Sequence, residues 1–140
     1  MKNPAEIYRR TATETSSPGN LVVMLYRGAI RFIRQAAEAI ERKDIPKAHT
    51  HLIRAQSIVL ELRSALSQDV GPIAQGLDSV YDYCLRRLMD ANVAKDRKAA
   101  LEVATLLESL LEAWESALSD AAASGVPADG HGMPWPNRGQ

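Results

Sequence analysis

The side chains able to do chemistry are few, and their spacing excludes most reactions. There are three histidines and one cysteine in 140 residues. His49 and His51 are two apart, so on a helix they point to different sides and make poor joint metal ligands. No Glu-x-x-His pair occurs, which disfavours a di-iron carboxylate bundle. The phosphate-cradling patterns GxxxxGK[ST] and GxGxxG are missing, as is CxxC. Cys84 lies on an apolar stripe, where a thiol is inert and not nucleophilic. No enzymatic activity, metal or cofactor is therefore expected.

What remains is recognition chemistry. The segment Tyr81-Asp82-Tyr83-Cys84-Leu85-Arg86-Arg87-Leu88 concentrates tyrosine and arginine, the residue types that anchor interfaces. On a helix Asp82 and Arg86 form an i,i+4 pair, Tyr81 falls on the buried side, and Tyr83 falls outside, where Arg87 can stack on it. Ile53 and Leu60 are seven residues apart, off the main apolar stripe of their own segment. Such a pair is either scattered exposed apolar surface or the anchor of a helix-in-groove partner.

Four segments of helical period must position these groups. The first starts at Ser17-Pro18 and runs to about Lys43. Ser17 can cap it, and Pro18 suits a first-turn position whose amide needs no partner. Asp44 opens the second, with Pro46 in its first turn, to about Ser67. The loop Gln68-Asp69-Val70-Gly71 leads to Pro72 and the third segment, which ends near Val93. Asp96 caps the fourth, which runs to about Ala122. Apolar residues recur at steps of three and four, as in Ala48, Leu52, Ala55, Val59, Leu62 and Leu66, and no strand alternation competes. Short connections predict an all-α, antiparallel four-helix bundle.

Segments one and four are apolar over about half their circumference, more than the roughly 100° a bundle helix needs. Either each touches two neighbours, or part of the arc is reserved for a ligand helix. Leu21 to Lys43 carries a net +3 and Arg97 to Asp120 a net −3, which favours placing the first and last helices side by side.

Composition agrees with one domain. Hydrophobic residues make up 46%, and 17 basic residues balance 17 acidic ones. Zero net charge removes the basic footprint of a general nucleic-acid binder. No apolar run is long enough to insert in a membrane, and no leader-like stretch opens the chain. A lone cysteine fits a reducing cytoplasm. Three parts are predicted: an N-terminal segment 1–16, a bundle domain 17–122, and a Gly/Pro-rich tail 123–140 too poor in apolar surface to order itself.

Three blocks resemble the FliS family, bacterial flagellar export chaperones that bind flagellin. The first is Thr15-Ser16-Ser17-Pro18 with Leu21-Val22-Val23-Met24-Leu25-Tyr26-Arg27-Gly28-Ala29-Ile30-Arg31-Phe32. The second runs from Ile73-Ala74-Gln75-Gly76-Leu77 through Tyr81-Asp82-Tyr83 and Arg86-Arg87-Leu88 to Ala91-Asn92. The third is Leu106-Leu107 with Ala113-Trp114. Arg27 stands where the family usually has Asp, Gly19-Asn20 replace a common charged pair, and Cys84 replaces a usual Met. The resemblance implies a cytoplasmic chaperone that binds the C-terminal segment of flagellin, prevents premature polymerisation and keeps it fit for type III export. The flagellar export gate is a second implied partner, and the expected state is a monomer or weak homodimer. An adaptor bundle for another amphipathic helix is the alternative. Matching the family's N-terminal segment, Ile7 and Tyr8 are expected to act as a displaceable lid. The candidate partner-contacting residues are thus Ile7, Tyr8, Tyr26, Ile53, Leu60, Tyr83 and Arg87.

Overall fold

Two Lys-Asp dipeptides, Lys43-Asp44 and Lys95-Asp96, each turn the chain from one helix into the next. In each, the lysine adopts a left-handed conformation, with φ of 60° at Lys43 and 51° at Lys95. The aspartate amide then reaches back five residues: Asp44 N to Ala39 O at 2.8 Å and Asp96 N to Ala91 O at 2.9 Å. This is the Schellman ending that satisfies helix C-terminal carbonyls. The same aspartates begin the next helices. Asp44 Oδ1 accepts from Lys47 N, and Asp96 Oδ1 accepts from Lys98 N and Ala99 N. One dipeptide therefore both stops a helix and starts the next, so the chain reverses sharply.

The computed structural model describes residues 18–66 and 72–123. It contains α1 (Pro18–Glu41), α2 (Ile45–Ser64), α3 (Pro72–Ala94) and α4 (Arg97–Ala123). The predicted all-α four-helix bundle is what forms, with no strand among the described residues. Pro18 and Pro72 each open a helix, where the missing amide costs nothing. Two boundaries differ from expectation. α1 stops at Glu41 because Arg42 and Lys43 form the turn, and α2 stops at Ser64, with Ala65 at its C-cap. Ser17, the 68–71 loop, residues 1–16 and residues 124–140 lie outside the described residues.

The helices form a ring. α1 packs against α2 and α4, and α3 packs against α2 and α4. Among the described residues the backbones do not approach across either diagonal, and α1 and α3 meet through the Tyr26 and Tyr81 side chains. The core runs through Tyr26, Ile33, Leu52, Val59, Leu62, Tyr81, Leu88, Val103 and Leu107, all without solvent exposure. The apolar excess on α1 and α4 is used inside this ring. Leu106, Leu110, Leu111 and Leu118 on α4, and Leu21 and Phe32 on α1, pack partly buried against the core. Two neighbours per helix explain those arcs.

The first and last helices adjoin as their charges require. Arg27 pairs with Glu115 and Arg34 with Glu108, both at the surface. Beneath them Trp114 Nε1 donates to Gly19 O at 2.9 Å. A Cβ on Gly19 would meet Leu118 Cδ2 at 2.6 Å, so a larger residue there would require the Leu118 side chain to shift.

Candidate functional site

Three of the sequence-predicted residues need correction or qualification. Tyr26 is fully buried and does not reach the surface. It stands on the same stripe as Val22, Ala29 and Ile33, which faces the bundle axis. Its hydroxyl shares a hydrogen bond with that of Tyr81, the rings tilted by 53° with centroids 6.4 Å apart. Burial raises the pKa of both phenols, so each stays neutral and can serve the other as donor or acceptor. The pair satisfies two polar groups inside the core. Cys84 is buried beside them, and desolvation pushes its thiol up to about 12, which makes it unreactive.

Tyr83 and Arg87 do not stack as the sequence suggested. Both reach across to α4, where Glu102 accepts from the Tyr83 hydroxyl and, at 3.0 Å, from Arg87 Nε. They close the α3–α4 seam, although Tyr83 keeps 41% of its surface exposed. The Asp82–Arg86 pair forms at 3.1 Å, and Arg63 of α2 joins it, donating to Asp78 at 2.7 Å and to Asp82 at 3.3 Å. Ile7 and Tyr8 lie outside the described residues.

Ile53 and Leu60 are the exposed pair that the spacing predicted, with 43% and 53% of their surfaces open. Their neighbourhood follows from the contacts around them. His49 Nδ1 meets Asn92 Nδ2 at 3.0 Å, and Arg63 meets Asp78, so the α2 flank carrying His49, Gln56 and Arg63 faces α3. Ile53 and Leu60 lie one step outward on that flank. The antiparallel register set by these contacts puts Ile53 level with Met89, Leu60 level with Tyr81 and Asp82, and Leu85 about midway between Ile53 and Leu60.

Met89 is 49% exposed and Val93 90%, while Leu85 is half-buried. Leu85, Met89 and Val93 are four residues apart and make one ridge of α3. This ridge lies off the core stripe, so core periodicity does not mark it, although its four-residue spacing is a usable signal in the sequence. Ile53, Leu60, Leu85, Met89 and Val93 together form an apolar strip along the outer seam of α2 and α3. Scattered exposed leucines need no explanation, but an aligned strip does.

On the opposite flank α2 meets α1. Phe32 stacks on His51, with ring centroids 5.9 Å apart. His49 and His51 thus face different helices, as their spacing required. Burial, with help from Arg54 and Lys47, lowers the pKa of His51, and its enclosed Nδ1 has no hydrogen-bond partner. Among the described residues no group of three or more His, Cys, Asp or Glu could hold a metal, and no helix is long and apolar enough to cross a membrane.

The profile of one protein family, described as Flagellar protein FliS, matches residues 1–121. The chain belongs to the FliS family. It is 36% identical over 118 residues to the flagellar secretion chaperone FliS of Bacillus subtilis, covering 84% of this chain and 88% of that one. It is 34% identical over 117 residues to the corresponding Salmonella typhimurium chaperone, covering 82% and 87%. A solved structure described as a flagellar chaperone from bacteria superposes with a TM-score of 0.70 at 19% identity, covering 84% of this chain and 99% of that one. That likeness carries the fold. FliS is a family of chaperones and not of enzymes, which agrees with the missing catalytic constellations.

The inter-helix carboxylates of this FliS chain define its response to acid. Arg63 holds Asp78 below the usual carboxylate range, and the Tyr83 hydroxyl and Arg87 do the same for Glu102. A carboxylate whose pKa is lower folded than unfolded stabilises the fold fully above its unfolded pKa and loses that contribution as pH falls through its folded one. The urea midpoint is therefore expected to drop between about pH 6 and about pH 3. Asp78→Asn with Glu102→Gln should flatten that slope. An unchanged slope would assign acid sensitivity to other groups.

Proposed function

We propose that this chain is a cytoplasmic export chaperone for flagellin that holds its C-terminal segment, prevents premature polymerisation and keeps the client fit for flagellar type III export. The observation that carries the reading is the strip of Ile53, Leu60, Leu85, Met89 and Val93, exposed except at half-buried Leu85, in a bundle whose apolar arcs on α1 and α4 are at least partly buried against neighbouring helices. An amphipathic client helix laid along the α2–α3 seam buries its own stripe there instead of against another flagellin. Ordering a client segment costs several kcal/mol, so the contact must be extended, and a strip from Leu60 to Val93 runs lengthwise and not as a point. Membership of the FliS family and the named role of its relatives support the same reading.

The test is co-purification with two forms of flagellin, one keeping and one lacking its C-terminal segment. Capture of the complete form alone is the expected result. Equal capture of both would remove the C-terminal segment as the client element.

A further inference from the structure

Arginines in this bundle are almost all neutralised. Every described arginine except two is ion-paired to an Asp or Glu side chain. The exceptions are Arg31 of α1 and Arg54 of α2, and both lie over the same ring. Their guanidinium carbons are 5.5 Å and 5.7 Å from the centroid of Phe32, the only phenylalanine in the chain. Both arginines are exposed, and the ring between them is half-buried. Lys47 and His51 stand beside them on α2, with Asp44 as the acidic group acting on His51.

From this arrangement we infer that the α1–α2 face is a second docking site, taking an acidic segment of a partner protein. A guanidinium resting on an aromatic face keeps its in-plane N–H fork free for a carboxylate. The ring also restrains the side chain, so less freedom is lost when the fork is filled. Two such forks on one ring match two carboxylates on one short peptide. A polyanion such as RNA asks for an extended basic stripe, whereas the formal net charge here is zero. The site also differs from the client strip. Phe32 and His51 mark the flank of α2 turned to α1, while His49 and Asn92 mark the flank turned to α3, next to Ile53 and Leu60. The site does not depend on what occupies the strip.

The full chain is titrated with a fluorescently labelled Asp/Glu-rich peptide, read by anisotropy. Arg31→Gln with Arg54→Gln should weaken binding about tenfold, the loss of two charge-assisted contacts, and should leave the melting temperature nearly unchanged because no ion pair is broken. The charge-matched variant Arg42→Gln with Arg97→Gln should bind like the parent. Ile53→Ser with Leu60→Ser should also bind like the parent. Equal weakening by the Arg42/Arg97 variant would reduce the effect to net charge and overturn the site. So would equal affinity for a single-stranded RNA oligonucleotide lost with the same two arginines. A loss in the Ile53/Leu60 variant would merge the two surfaces and overturn their separation, whatever the flagellin experiment shows.

Discussion

Replacing Leu107 by alanine should cost about 2–5 kcal/mol of stability, the range for emptying a core leucine site that relaxes only in part. Leu107 is fully buried on α4, in the cluster that also holds Val103 and Trp114. In a bundle of this size such a loss lowers the melting temperature by on the order of 10 °C or more. Urea denaturation followed by circular dichroism measures it directly. A loss below about 1 kcal/mol would mean that the ring can collapse onto the vacated volume. The core would then be looser than its burial indicates.

The second large effect concerns binding and should leave the fold alone. Ile53→Ser with Leu60→Ser removes two apolar side chains that are about half exposed in the free protein. A client helix along the α2–α3 seam would cover both. Fully burying a side chain of this size is worth roughly 1.5–3 kcal/mol, and even half of that for each sums to more than the ~1.4 kcal/mol that makes one decade in affinity. Affinity for a flagellin C-terminal peptide should fall by at least about tenfold while the unfolding midpoint hardly moves. If the double variant instead melts like Leu107→Ala, the pair belongs to the core. If it folds and binds normally, the client lies on another face. Calorimetric titration beside a thermal melt separates these outcomes.

The fold was legible wherever local chemistry and periodicity agreed. Asp44 and Asp96 were readable as caps because an aspartate before a helical period has one strong use, accepting from first-turn amides. The side-by-side placement of α1 and α4 followed from their opposite charges, and Arg27–Glu115 and Arg34–Glu108 are those charges meeting. The helix ends were less legible. A left-handed C-terminal residue is usually glycine, and here lysine fills that position twice. The surface was hardest to read. A wheel places Tyr83 and Arg87 outside, yet only the partner helix reveals that Glu102 occupies both. The motif around Tyr26 suggests a contact role, while its place on the Val22–Ala29–Ile33 stripe puts it inside. The strip needed two helices in register, which no single segment can display.

The ring arrangement also sets an order of assembly. Three of its four seams join helices adjacent in sequence, so they close as local hairpins. The fourth joins α1 to α4, and its Trp114–Gly19 hydrogen bond links residues 95 apart. By the logarithmic law of loop closure, bringing such distant residues together costs roughly 2–3 kcal/mol more than closing a short hairpin. That cost is recovered only after the intervening helices have packed. The α1–α4 seam is therefore expected to be the latch of the bundle, the last to shut. The Trp114 indole at the latch gives that step an intrinsic fluorophore.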